Sequence, residues 1–461
     1  MRPLTAASAQ DLSNTAWALA PLHIRDGPLL DAIAAASLAL IRDDDPQAMV
    51  NPVWAFSVLL VCHEPLLAAT ASAAIRNGQH YHSQALANTA WAFATLVVLN
   101  LPLLEAISAA ARPKIRSFST QDLANSSWAF ANCSISHVPL MDAIAASARR
   151  KIADCQLQAL PLDGLHLLAL DLTALAWALA FVGRLAQVAG AGILDALMFI
   201  GREVDRRVVN ADPESRFAAT GRAPLLVGQY DGYLSAHEAA MAAVPNAAAQ
   251  GAGTAPGAPV SGPPAVVLDR PGVAVVFKPA GWEVDSTGGG DDRMLLSSFL
   301  QVTFPKERCP LVHSLDFGYG FLHRLDVPSS GLILAATSFE GLYSLRGQLN
   351  TYCLAREYIT VCHSLAPPAL KVDARVDATS TQVLRSAISD SGRPASSFLR
   401  TPAHLLRCVD PDLRTHSGIC IVAVRIRTGR RHQIRAHTRH VGHPTVADGW
   451  YCPEACALLP G

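Results

Sequence analysis

Apolar and polar positions repeat along the first half of this chain with a period of 37 residues. Trp17, Trp54, Trp91 and Trp128 each head a short apolar run, as in LSNTAWALA, LANTAWAFA and LANSSWAFA, and a fifth, Trp177, follows after 49. Eleven residues behind four of these Trp comes a proline, Pro28, Pro65, Pro102 or Pro139, opening PLLDAIAAA, PLLAATASA, PLLEAISAA and PLMDAIAAS. A fixed period of this kind means one supersecondary unit stacked on copies of itself. Proline is tolerated in a helix's first turn and the Leu/Ile/Ala spacing behind it suits a helix, so each unit reads as two antiparallel helices, packed closely through Ala.

Two repeated positions leave readings open. The Trp serve either as inter-repeat core, which the general burial of aromatics favours, or as base-stacking platforms. The Asn three residues earlier (Asn14, Asn51, Asn88, Asn125) either lock each repeat by a hydrogen bond or read a base. A residue identical in every repeat cannot tell one base from another, which favours the lock.

From about Pro213 to Pro264 the pattern dissolves into AVPNAAAQGAGTAPGAPVSGPP, rich in Ala, Gly and Pro, which reads as a flexible tether letting the two halves move independently. Beyond it, residues 265–268 and 273–278 read as strands around a turn at Pro271 and Gly272, residues 333–337, 358–361 and 419–426 as further strands, and 339–349 as a helix. The expected organisation is multidomain. An all-α helical-repeat solenoid covers 1–210, a linker 211–262, and an α+β domain with a mixed, mainly antiparallel sheet covers 263–461.

The composition is 51% hydrophobic, yet no run reaches the roughly 18 uninterrupted apolar residues that span a bilayer. The richest, residues 172–183, lies between Asp171 and Arg184 and reads as a buried helix, so no membrane is expected. Net charge is zero, which argues against a generally basic coat, but its distribution is uneven. Residues 263–461 carry 21 Lys and Arg against 17 acids, so attraction to a polyanion is focused there. Ten Cys without CxxC pairs, Cys452 and Cys456 included, make no zinc site and suggest a reducing compartment. The Gly288–Gly290 run with Asp291 and Asp292 lacks the strand-to-helix context of a phosphate loop.

Candidate chemistry centres on Gly320 to Leu332, GFLHRLDVPSSGL. Leu322, Leu325 and Leu332 can anchor the backbone in a core, leaving His323, Arg324 and Asp326 to face a cleft. A carboxylate beside a fixed guanidinium stays ionised and oriented, usable as a nucleophile or against positive charge at a sugar carbon. The plainer alternative is an Asp capping a turn made by Ser329, Ser330 and Gly331. A second stretch, Arg425 to His443, holds six Arg and four His with no acid, a phosphate-facing signature.

AVVFKPAGWEV (274–284), HRLDVPSSGL, Arg356 to Tyr358, Gly392 to Ala395, and GRRHQIRAHTRHVGHP (429–444) together resemble, in order, the motifs of the RluA-like family of RNA pseudouridine synthases. The resemblance implies an α+β fold and isomerisation of uridine in RNA with no metal or organic cofactor. Carried over by position, it makes Asp326 the acid at the ribose C1′, Tyr358 the stacking group that could take the C5 proton, and Arg435 a bidentate partner of Asp326. Attack on C1′ and abstraction of the C2′ proton both stay open for Asp326. Arg324 would fill the gap left by an extruded base. His323, Arg430, Arg431, His432 and Arg439 would contact RNA, some of them alternatively as plain surface charge.

Ser329, Arg356 and Ala447 depart from the family's Thr, Lys and Gly. The chain stops ten residues after Tyr451 and its first repeat starts almost at Met1 without a capping helix or transit peptide, so it reads as cut at both ends. The repeats resemble the octotricopeptide class, whose proteins are mainly organellar RNA binders. That implies RNA, or a protein partner, on the repeats, and a mitochondrial or chloroplast location, with cytoplasm or nucleus open. The alternative to an enzyme is an inactive RNA-binding or scaffold protein that keeps a synthase-like domain.

Overall fold

The computed structural model describes residues 9–20, 24, 26–40, 46–185, 190–210, 262–285, 294–377, 385–410 and 415–453. The tether at 211–261, the Gly288–Asp292 loop and Cys456 lie outside the described residues. Two compact units are present: one comprises Met1–Asp154, Ala174–Ile193 and Leu349–Gly461, the other Cys155–Thr173 and Leu194–Gln348.

The first unit opens with helices α1 (Ala9–Leu19), α2 (Gly27–Leu40), α3 (Pro46–Val58), α4 (Glu64–Asn77), α5 (Ser83–Thr95), α6 (Leu101–Ala111), α7 (Thr120–Asn132) and α8 (Val138–Asp154). Helix α3 packs on α1 and α5, α5 also on α7, and α4 on both α2 and α6. Each of the four prolines is the second residue of its helix, where its missing N–H costs nothing. The residue two before each proline caps that helix. Asp26 Oδ1, His63 Nδ1, Asn100 Oδ1 and His137 Nδ1 accept from the backbone N–H of Leu29, Leu66, Leu103 and Leu140. Four residues of three types thus do one job at one period: each supplies an acceptor to an otherwise orphaned donor.

Helices α3, α5 and α7 run on into a left-handed residue, Leu60, Val97 and Ser134, with φ of 55°, 58° and 61°. The following N–H reaches back to Phe56, Phe93 and Phe130 O, closing the helix end. Those three Phe are 1% exposed and fill the core of their units. The Trp two positions earlier lie about 200° away around the helix, so they cannot share that core. Trp54, Trp91 and Trp128 instead form a half-buried ladder with centroids 6.4 Å apart at each step, and Trp17 is 55% exposed. The aromatic core expected of the Trp belongs to the Phe. Among the described residues the side chains of Asn51, Asn88 and Asn125 make no hydrogen bond, so the locking role expected of them has no bond to rest on.

Helices α9 (Leu162–Phe181) and α10 (Gly190–Asn210) follow. By length and composition α9 could cross a membrane, which counting uninterrupted apolar residues overlooks. Half of its most apolar window is buried in the folded chain, as in a core helix.

The second unit is built on strands β1 (Ala265–Arg270), β2 (Val273–Lys278) and β3 (Gly331–Ala336), antiparallel in that order, with helices α11 (Leu296–Thr303) and α12 (Phe339–Asn350). Ala274, Val276, Ile333 and Ala335 point from the sheet into a core shared with Leu296, Leu300 and Val312. Asp205 on α10 caps α12, its carboxylate accepting from Phe339 and Glu340 N at 2.8 Å each. Any Cβ on Gly201 would lie 2.4 Å from Glu340 Cα, so glycine permits that approach.

In the first unit, β4 (Arg356–His363), β5 (Ala369–Asp373), β8 (Ser396–Asp410) and β9 (Thr415–Ile426) form a sheet of order β4-β9-β8-β5. Beside it lie a small pair, β6 (Val376–Asp377) with β7 (Ala387–Ile388), and helix α13 (Gln433–His440). All these strands pair antiparallel, so in place of one mixed sheet the described residues form three antiparallel ones, of three strands in the second unit and of four and two strands in the first. Strand β8 escapes the sequence reading because Pro402 interrupts it. The register shifts between Arg400 and Ala403, the kind of bulge that accommodates a strand proline. Residues on both sides of the tether bond directly, contrary to independent movement. Arg375 donates to Asn132 O and Ser134 Oγ, Arg427 to Ala180 O, and Asp205 accepts from the start of α12.

Candidate active site

Asp326 sits in the loop between Phe321 and β3, half-buried, followed by a turn closed by Ser329 N on Asp326 O. Phe321 and Leu325 pack on the strand core and anchor this loop, whereas Leu332 is 58% exposed on β3 and anchors nothing. The other clamp comes from the turn after β2. Gly281, at a φ of 86° that favours glycine, donates its N–H to Val327 O at 2.8 Å. Lys278 has no exposed surface, and its Nζ donates to Trp282 O, Pro279 O and Val327 O at 2.7, 3.0 and 3.3 Å.

Lys278 therefore holds the carbonyl next to Asp326 while standing as a buried cation beside that carboxylate. Burial pulls its ammonium down to about 8, and Asp326 opposes the fall. Sequence analysis places Lys278 at the end of a strand and gives it no role. The available signal was a Lys closing an apolar run, AVVFK, directly before Pro. His323 is held within the same unit: its Nε2 accepts from Leu334 N at 3.3 Å, which ties the ring to β3. Arg324 is exposed.

Tyr358 lies on β4 opposite Val424 and packs partly against the sheet core of the first unit. Arg435, on α13, gives its Nε and Nη2 to Asp448 at 2.7 and 2.6 Å, and its guanidinium lies over the rings of Tyr451 and Trp450 at 4.7 and 5.4 Å. The bidentate partner foreseen as Asp326 is thus, on the Nε edge, Asp448. Asp448 also accepts from Thr445 Oγ1 and from Trp450 and Tyr451 N. Burial works to raise its carboxyl, but Arg435 and Thr445 outweigh it and hold the acid down to about 2. Ala447, beside it, takes a φ of 58°.

Part of the basic stretch is tied down within its own unit. Arg430 Nε donates to Pro394 O and Arg439 Nη1 to Tyr451 O, while the His432 ring meets Trp450 and Tyr451 edge-on. Arg431 is exposed. Gln433 and His437, one turn apart on the inner face of α13, are buried and fully engaged. Gln433 Oε1 accepts from Thr428 and Arg430 N, its amide donates to Ser396 O and Ser397 Oγ, and His437 bridges Ser397 Oγ and Ala374 O. Burial keeps the His437 imidazole below its ordinary value, hence neutral.

Among the described residues no cluster of His, Cys, Asp and Glu could hold a metal ion. The arrangement offers two preorganised chemical groups, a clamped carboxylate on one unit and an oriented guanidinium with a strand tyrosine on the other.

Comparison with known proteins follows the same residues. The family model described as RNA pseudouridylate synthase matches residues 272–440. Ribosomal large subunit pseudouridine synthase D of Pseudomonas aeruginosa is 29% identical over 186 residues, covering 40% of this chain and 52% of that one. The protein of the same name from Xylella fastidiosa is 30% identical over 179 residues, covering 39% and 49%. The solved structure of human RNA Pseudouridylate Synthase Domain Containing 1 is 21% identical, covering 41% of this chain and 69% of that chain, with a TM-score of 0.32. The chain spans about half the length of the curated relatives it matches. Residues 272–440 of this chain are thus similar to RNA pseudouridine synthases, in the family model and in the curated relatives alike.

Proposed function

We propose that this chain isomerises uridine to pseudouridine within RNA, with Asp326, Tyr358 and Arg435 as its catalytic residues. The observation that supports this most is the clamp on the Asp326 loop. Gly281 N and Lys278 Nζ both hold Val327 O, the rigid mounting that a reacting carboxylate needs. The reaction breaks the bond from N1 to C1′, turns the uracil and rejoins it through C5. Asp326 acts at the ribose, either on C1′ or on the C2′ proton. Tyr358 stacks on the detached uracil and takes the C5 proton. Arg435, held through its Nε and Nη2 by Asp448, is the charged partner assigned to Asp326 in this reading. Arg324 replaces the extruded base in the stack, since the reacting atoms are out of reach inside a helix.

The helices of residues 1–210 act as a repeat solenoid that aids RNA binding, and residues 263–461 as the catalytic domain, joined by the 211–262 linker. The names of the relatives make large-subunit ribosomal RNA the first substrate to try. Release of tritium from RNA labelled at uridine C5 tests the reading. Release by the unaltered chain that disappears in Asp326→Ala supports it; no release from ribosomal, transfer or messenger RNA leaves the alternative of an inactive binding protein.

A further inference from the structure

The three-residue turn Gly392-Arg393-Pro394 in the first unit gathers positive charge. Arg375 Nε donates to Gly392 O at 2.7 Å and Arg430 Nε to Pro394 O at 3.1 Å, so two guanidinium groups flank Arg393 on its own turn. Arg356 lies against Gly429, where any Cβ would sit 2.5 Å from its Nη1, and its Nη2 donates to Arg427 O. Arg427 covers the Tyr352 ring at 4.5 Å. All but Arg427 are half-buried.

What sets these five apart is the lack of counter-charge. Elsewhere in the same unit Arg184, Arg425 and Arg435 each hold a carboxylate, Asp142, Glu357 and Asp448. Among the described residues none of Arg356, Arg375, Arg393, Arg427 and Arg430 forms an ion pair; Asp390 acts on Arg375 only at a distance. Burial, then Arg393 and the other arginines nearby, press Arg430 down to about 10, a sign that the group is crowded by its own kind. Half-desolvated like charges are costly to assemble, and the carbonyls that Arg375, Arg427 and Arg430 hold satisfy protons without cancelling that charge. A bound anion would cancel it.

The geometry points to a phosphate-binding site here, built by Arg393 and Arg430 with Arg356, Arg375 and Arg427 adding positive charge nearby, that takes a backbone phosphodiester of the RNA strand. Planar guanidiniums in a fixed fork suit phosphate oxygens. The inference rests on the RNA substrate proposed above and adds a second hold on it, through residues outside Asp326, Tyr358 and Arg435.

Binding of a fluorescein-labelled single-stranded RNA to the full chain, carrying Asp326→Ala so that no turnover intervenes, is measured by anisotropy across a salt series. Arg393→Gln is expected to weaken binding alike for every RNA sequence and to flatten the slope of log affinity against log salt by about 0.7, one single-strand phosphate contact. Arg393→Lys should restore most of the slope. The melting temperature of Arg393→Gln should stay level or rise, because a crowded charge has gone. An unchanged slope overturns the inference, whether or not the variant melts lower. It is equally overturned if pyrophosphate stabilises the unaltered chain but not Arg393→Gln while the RNA slope stays the same, since the site then takes free phosphate. Tritium release with an unchanged slope sinks this inference alone; a flattened slope without tritium release sinks the isomerase alone.

Discussion

Lys278 and Asp448 are buried charges that each hold a proposed catalytic element, one in each unit, and they are solved in opposite ways. Asp448 receives a guanidinium, a hydroxyl and two backbone N–H groups, so its negative charge is matched and its carboxyl is held down to about 2. Lys278 receives three carbonyl oxygens, which satisfy its protons without cancelling its charge, and burial pulls it down to about 8. Hydrogen bonding and neutralisation are therefore separate requirements. Meeting both stabilises the charged form; meeting only the first leaves a cation poised to lose its proton, beside the carboxylate expected to react.

The comparison breaks first at Asp448. Removing one partner of a buried pair strands the other, so Asp448→Ala should cost about 3 to 5 kcal/mol in urea unfolding and release Arg435 from its place. Lys278→Met should cost less. It takes away a poorly compensated charge but orphans carbonyls that Nζ had satisfied, a loss of about 1 to 3 kcal/mol, and loosening of the Asp326 loop should lower tritium release more than RNA affinity. If Lys278→Met proved the more damaging of the two, the idea that neutralisation decides the cost would be wrong.

Melting temperature against pH sharpens the contrast. Asp448 has its folded value depressed from 3.8 to about 2, so its contribution is whole above pH 3.8 and is lost as pH falls toward 2. Lys278 is depressed from 10.5 to about 8, so its cost is present below pH 8 and is relieved as pH rises through 10.5. Buried His437, lowered from 6.5, adds a loss of stability as pH falls below that value. Asp448→Asn should flatten only the most acidic limb and Lys278→Met only the alkaline one. A limb that survives its own variant assigns it to another group.

How much of this was legible in the sequence depends on whether the signal was periodic or electrostatic. The strand pair on either side of Pro271 and Gly272, and the helices opening at Pro28, Pro65, Pro102 and Pro139, are set by local backbone chemistry and read correctly. The helix caps were missed because Asp26, His63, Asn100 and His137 share a function but not an identity. Helix α13 was hidden by its own charge: counting Arg and His as a phosphate-facing run ignored that Gln433, Ala436 and His437 recur at helical spacing on an inner face. Asp326 was read from the residues around it, and Tyr358 and Arg435 came from motif resemblance, whereas Lys278 and Asp448 came from neither. Composition ranks both types as surface residues, and only the fold reveals what carbonyls or guanidinium await them.

The smallest expected effect lies one residue from Asp448. Ala447 carries a side chain at φ 58°, a left-handed conformation that costs an alanine roughly 1 kcal/mol and a glycine almost nothing. Ala447→Gly relieves that strain but widens the unfolded ensemble, and the second effect opposes the first by about 0.4 to 1 kcal/mol. The net gain should therefore stay under about 1 kcal/mol, read as a small rise in urea midpoint with unchanged slope. Because Asp448 holds Arg435 through its side chain and the turn only presents it, tritium release should not change. A clear change in release with Ala447→Gly would mean that the backbone there, and not the buried ion pair alone, aims the guanidinium.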